Sequence, residues 1–136
     1  MRKINVIVTA ICTVLLFFSC ATTLDFGISQ ITPAAEGTAK IAKGKNGNYV
    51  LTVKVINLTD PQRLTPPKRF YSIWTESMDG NAKNMGMIKM SSGLLSKTMK
   101  GSFKTVCITK PIKVFITAED NGDVEYPGEM VVLKTE

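Results

Sequence analysis

Between residues 49 and 58 the chain alternates. Tyr49, Leu51, Val53 and Val55 share one face of an extended segment, and Val50, Thr52, Lys54 and Ile56 share the other. This pattern predicts a strand with its odd-numbered face buried. Residues 38–42 are also β-prone, and Lys43-Gly44-Lys45-Asn46-Gly47-Asn48 separates the two runs with an Asn-Gly step that favours the positive φ of a hairpin turn. Pro61, Pro66 and Pro67 then make 59–68 a crossing loop, because proline can continue neither a helix nor a central strand. Tyr71, Ile73 and Trp74 predict a strand over 69–77, and 85–90 another after the Asp79-Gly80-Asn81 turn. Residues 101–108 and 113–118 are β-rich runs parted by Lys110-Pro111, and 129–135 closes the chain after Asn121-Gly122 and Pro127-Gly128. No stretch keeps the helical i, i+3, i+4, i+7 spacing over three turns; the nearest, 88–99, is broken at Ser91-Ser92-Gly93. The expectation is an all-β domain over 37–136, an immunoglobulin-like antiparallel β-sandwich of about seven strands with Trp74 in its core.

The beginning of the chain follows other rules. Arg2 and Lys3 precede an uncharged, mostly apolar run over 4–18. As a helix this run would reach roughly 22 Å against a hydrocarbon layer of about 30 Å, so it reads as an export signal over 1–19 in preference to a permanent span. Phe17-Phe18-Ser19-Cys20 resembles the bacterial lipobox, in which a bulky apolar residue and a small one precede a cysteine that is acylated and becomes the new amino terminus. The resemblance implies lipidation at Cys20 and a protein held to a membrane by its acyl chains. Ala21-Thr22-Thr23-Leu24-Asp25 resembles neither the inner-membrane retention signal nor the surface-export signal of such lipoproteins, which implies the outer membrane, facing the periplasm. Residues 20–36 are small and polar with Pro33 and read as a lipidated tether, with Phe26, Ile28 and Ile31 as candidates for an additional edge strand.

Composition narrows the function. The 136 residues hold one domain at most, and 44% apolar content with 21% charge is that of a folding chain. The net charge of +6 becomes +4 once Arg2 and Lys3 leave with the signal. Histidine is absent, which removes the commonest general base and the commonest metal ligand. No nucleophile with a base can be assembled, and the acids gather in one terminal loop instead of facing one another across a cleft, so no enzyme is expected. Of three cysteines, Cys12 lies in the signal and Cys20 in the lipobox; Cys107 remains alone within Val106-Cys107-Ile108 and reads as a buried small hydrophobe.

Two stretches carry metal-binding chemistry as alternatives to plain structure. Residues 119–125 hold Glu119, Asp120, Asp123 and Glu125 around Gly122, an oxygen-rich loop of the kind Ca²⁺ prefers, with Asp120, Asp123 and Glu125 as candidate ligands; the spacing lacks the EF-hand ligand pattern, which favours a solvated acidic turn. Met85, Met87 and Met90 offer thioether sulfur to Cu(I), but strand alternation sets Met90 on the face opposite the other two unless a bulge intervenes. Lys89, Lys97, Lys100, Lys104, Lys110 and Lys113 form a basic stretch suited to anionic lipid or an acidic partner, or to guarding strand edges. No nucleic acid partner and no cofactor is expected.

From residue 49 onward the order Tyr71-Ser72-Ile73-Trp74, Asn84-Met85-Gly86, Gly101-Ser102-Phe103, Ile116-Thr117-Ala118-Glu119 and Tyr126-Pro127-Gly128-Glu129-Met130-Val131-Val132-Leu133 resembles the extracytoplasmic domain of sigma-K-type anti-sigma factors. The resemblance implies a β-sandwich. That family sets a sigma-binding region and a transmembrane helix ahead of the domain; here a lipobox cysteine stands in their place, so sigma-factor control does not carry over. The reading is a periplasmic lipoprotein whose sandwich is a non-catalytic binding or scaffolding module for an envelope protein or glycan; the alternative is a periplasmic metal-binding protein.

Overall fold

The structure, a computed structural model, describes residues 20–92, 94–95 and 98–136; the expected signal over 1–19, with Cys12, and Lys97 lie outside the described residues. The strands among them are β1 (Ala21–Asp25), β2 (Glu36–Lys43), β3 (Tyr49–Ile56), β4 (Phe70–Glu76), β5 (Ala82–Ile88), β6 (Met90–Ser92), β7 (Met99–Cys107), β8 (Lys113–Glu119) and β9 (Val131–Lys134). They form two antiparallel sheets, ordered β1-β2-β3-β7-β6 and β5-β4-β8-β9. With β1 set aside, this is the immunoglobulin arrangement: first, second, fifth and fourth strands in one sheet, and third, sixth and seventh in the other, with β5 added at the edge of β4.

The alternation of 49–58 is realised as expected. Leu51, Val53 and Val55 are buried, Lys54 and Ile56 are exposed, and Asn46 and Gly47 take φ of 60° and 77° in the hairpin turn before them. The inward rows Ala39 and Ile41 of β2, Leu51, Val53 and Val55 of β3, Tyr71 and Ile73 of β4, and Val114, Ile116 and Ala118 of β8 form one apolar cluster between the sheets. Each large side chain buried there contributes about 1.5–3 kcal/mol relative to exposure. The crossing loop is pinned to that cluster by buried Leu58 and Leu64 and by the Tyr71 hydroxyl, which donates to the Thr59 carbonyl at 2.6 Å.

Three expectations change. The nine strands exceed the expected seven in two places. First, the segment over 85–90 is not one strand: β5 ends at Ile88 in one sheet and β6 starts at Met90 in the other. Second, the expected tether over 20–36 is folded into the domain. Its residues 21–25 pair with β2 from Ala21↔Ala42 to Asp25↔Thr38, because the edge of β2 offers a full ladder of backbone partners. Ile28 and Ile31 are exposed, while the buried Ser29 hydroxyl accepts from the Thr32 N–H at 2.9 Å. Phe26 bridges to Thr135, and the Gly27 N–H donates to the Lys134 carbonyl at 2.9 Å, so the stretch after β1 ties the edges of the two sheets together.

The third change concerns Trp74. It is fully buried, but alternation sets it with Ser72 on the side of β4 facing away from Tyr71 and Ile73, outside the intersheet cluster. There it stacks on Phe115, its partner in register, with ring centroids 6.1 Å apart. The 120–130 connection covers this side. The Asn84 amide, opposite Trp74, donates to the carbonyls of Gly122 and Val124 at 3.2 and 2.9 Å. The β4 and β8 sheet is therefore buried on both faces.

Candidate functional site

Cys20 is exposed and stands directly before Ala21 of β1. A depression of about 470 Å³ beside it is lined by Thr22, Ile41, Lys43, Gly44, Tyr49 and Lys110. Local chemistry sets these positions. The Gly44 N–H donates to the Asn48 carbonyl at 2.7 Å, closing the turn that presents Lys43 and Lys45, and Lys110 sits ahead of buried Pro111 on the β7–β8 connection. Lys43, Lys110 and the cysteine thus share one end of the sandwich, an arrangement built from the residue before β1 and two connections distant in sequence.

The acidic stretch is not an open loop. Glu119 is the last residue of β8, and its buried carboxylate accepts from the Thr117 hydroxyl at 2.5 Å and from the Gly128 N–H at 2.8 Å. Thr117 in turn accepts from the Trp74 indole N–H at 2.8 Å. This chain from indole to hydroxyl to carboxylate to backbone amide holds the 120–130 connection onto the sheet. Gly128 is needed for it, since a Cβ there would lie 2.7 Å from Glu119 Oε2. Asp120 is engaged by Lys68 at 2.7 Å, while Asp123 and Glu125 are exposed. Among the described residues no three Asp, Glu, His or Cys side chains are placed to hold a metal ion.

The three methionines share no single cavity, since Met87 borders a depression with Met85 and a cleft with Met90. A bulge does occur at Met85, where the register of β4 and β5 shifts between Ile73 and Trp74 and Gly86 takes φ of 128°. Met85 and Met87 then border one shallow depression beside Gly122 and Asp123, whereas Met90 has crossed to the other sheet and packs over Gly101. Met87 also joins Met90 and Met99 in lining an apolar cleft of about 380 Å³ with Tyr71 and Ile88, rimmed by Asp60, Arg69 and Lys89. Burial raises the Tyr71 phenol well above its ordinary pKa, and the nearby Asp60 charge adds to this. Cys107 is buried. Desolvation raises its thiol pKa and the Lys83 charge opposes the shift, so the thiol form is favoured over the reactive thiolate.

The basic stretch divides. Lys113 pairs with Glu76 at 3.2 Å, and Lys89 lies where the chain changes sheets. Lys100 and Lys104 share the outer face of β7, which register extends to Lys54 of β3 and Lys40 of β2: Lys40 pairs with Thr52 and Thr52 with Lys104, and Lys54 pairs with Ser102. This four-lysine face joins the β2–β3 hairpin to the distant β7; the sequence signals Lys100 and Lys104 as part of the basic stretch and Lys54 by its period-two position, but not their meeting.

Comparison with protein-family models finds no match to this chain, and neither does comparison with curated proteins or with solved structures.

Proposed function

We propose that the protein is a lipid-anchored lipoprotein of the bacterial cell envelope, attached through Cys20, whose immunoglobulin-like sandwich serves as a non-catalytic binding or scaffolding module facing the periplasm. The observation that carries the reading is Phe17-Phe18-Ser19-Cys20 at the end of a short apolar run, with Cys20 exposed directly before the first strand. An acylated cysteine needs access to the bilayer, and its chains hold the protein there because each buried CH₂ contributes about 0.8 kcal/mol. A rigid two-layer sandwich then carries connections at both ends, which are the usual carriers of recognition in this fold. The likeness in motif order to anti-sigma extracytoplasmic domains supports an envelope setting and leaves sigma-factor control aside, since an acyl anchor does not relay a conformational change across a bilayer as a helix does. The metal-binding alternative has less support, because Glu119 and Asp120 are engaged within the fold and Met85 and Met90 line different cavities.

Mass spectrometry of the protein isolated from its native envelope tests the reading. The expected result is a mature chain beginning at an acylated Cys20, with Cys20→Ala lost from the membrane fraction. An unmodified, soluble wild-type product overturns it.

A further inference from the structure

We infer that the Cys20 end of the sandwich is a docking surface for anionic lipid headgroups, seated on the leaflet that holds the anchor; this rests on the anchored reading of Cys20. The first argument is length. A flexible tether of 17 residues would let the domain float roughly 23 Å from the lipid. Residues 20–36 are instead folded, and no residue intervenes between Cys20 and Ala21 of β1. An acyl chain on Cys20 therefore brings this end of the sandwich to the interface.

The second argument is what the topology gathers there. Register places Ala21 beside Ala42, and Lys43 beside Tyr49, which pairs with Cys107. The chain then continues through Ile108, Thr109 and Lys110. The Ile112 N–H donates to the Glu76 carbonyl at 2.8 Å, and the Ser77 and Thr109 hydroxyls lie 2.8 Å apart, which brings the turn carrying Met78 to the same end. Met78, Ile108 and Ile112 are 90%, 77% and 50% exposed, three large apolar side chains on two adjacent connections. Exposed apolar side chains ringed by lysines suit the boundary between headgroups and acyl chains, where the apolar tips enter and ammonium groups meet phosphate.

The third argument is polarity. Lys43, Lys45 and Lys110 stand at this end with Asp79, while Glu76 is engaged by Lys113. The connections at the far end carry Asp60, Asp123, Glu125 and Glu129 beside Arg63, Arg69 and Lys89, while Asp120 is engaged by Lys68. An anionic leaflet attracts the first end, where lysines dominate, in preference to the second, where the charges are mixed. Exposed Leu94 and Leu95 also lie at the far end, between β6 and β7, and provide the internal control.

The test uses the full lipidated chain reconstituted in vesicles of phosphatidylglycerol and brominated phosphatidylcholine, with tryptophan quenching by bromine as the reading. Trp74 is fully buried and supplies a constant background. Ile108→Trp should be quenched about twofold beyond wild type, as expected for a side chain at the acyl boundary, and Leu94→Trp should not. Met78→Trp repeats the reading where Ile108→Trp fails to fold. The triple change Lys43→Glu, Lys45→Glu, Lys110→Glu should abolish the added quenching at low salt, and so should omission of phosphatidylglycerol. Quenching of Leu94→Trp in preference, no added quenching at either end, or quenching indifferent to lysine and to anionic lipid overturns the inference. Mass spectrometry of the same sample separates the two readings. An acylated Cys20 without quenching removes only the docking surface, whereas an unmodified Cys20 removes the anchor and the inference with it.

Discussion

On the outer face of β2, β3 and β7, alternate residues are Lys40, Thr52, Lys54, Ser102 and Lys104, exposed or half-buried; on the outer face of β4 and β8 they are Ser72, Trp74, Phe115, Thr117 and Glu119, all buried. The two sheets share one core and finish their other sides differently. Over its middle the first keeps the simple rule of a half-solvated antiparallel sheet, apolar in and polar out, with Val50, Val106 and Ile56 toward its ends. The second supports an additional layer, the 120–130 connection, held by the Trp74–Thr117–Glu119–Gly128 chain and by Asn84. The contrast teaches that an antiparallel sheet with a long connection can bury both faces, and that its polar side chains then act as internal ties in place of solvated surface.

Substitutions on the two faces test this contrast, and the largest effect is expected at Trp74. Trp74→Ala should destabilise the fold by about 3–5 kcal/mol in chemical denaturation, since it empties a fully buried site beneath the 120–130 connection. An effect below about 1 kcal/mol would mean that the second layer contributes little. Glu119→Gln comes next. It replaces a charged acceptor of the Thr117 and Gly128 bonds with a neutral one, for a cost of about 1–3 kcal/mol. Amide exchange over 121–129 should accelerate more than exchange in β3; equal acceleration in both would show that the connection does not open by itself.

Tyr71→Phe is smaller, about 1 kcal/mol for the lost bond to the Thr59 carbonyl. It also has a pH signature. The folded state holds the Tyr71 phenol above its ordinary pKa of 10, so its stabilising effect is fully present below pH 10. Above that the unfolded chain loses the proton first, and stability falls as pH rises. The thermal midpoint of wild type should therefore drop above pH 10 more steeply than that of Tyr71→Phe. Last, Lys54→Ala and Lys104→Ala on the solvated face should each stay within about 0.5 kcal/mol in the same denaturation experiment, because exposed positions without a partner network rarely cost more.

Much of this contrast was legible before any coordinates. The run Tyr49 to Leu58 alternates, and its predicted buried face is that of β3, which ends at Ile56, whereas Tyr71 to Thr75 and Val114 to Ala118 are nearly continuous in apolar and β-branched residues. A continuous run is the mark of a strand buried on both sides, yet it does not say what lies on the second side. That cover came from residues 120–130, whose Asp, Asn and Gly content reads locally as a solvated turn. Glu119 was grouped with that turn because it is adjacent in sequence, and only the end of β8 separates it from its neighbours. The Met85 to Met90 stretch reads as one strand because nothing local marks the change of sheet at Lys89. Residues 21–25 read as tether because so short and largely polar a run forms a strand only when an edge is offered to it.

The sequence by itself determined the all-β class, the core face of β3, the hairpin turn at Asn46-Gly47, the burial of Cys107 and the absence of histidine chemistry, because each follows from local periodicity, turn stereochemistry or composition. The tertiary structure alone decided which strands met. That placed β1 on β2 directly after Cys20, drew lysines from β2, β3 and β7 onto one face, divided the methionines between two sheets and turned Glu119 inward. The physical reason is that backbone pairing and burial reward contacts between residues far apart in the chain, and such pairings have no expression in the order of neighbours.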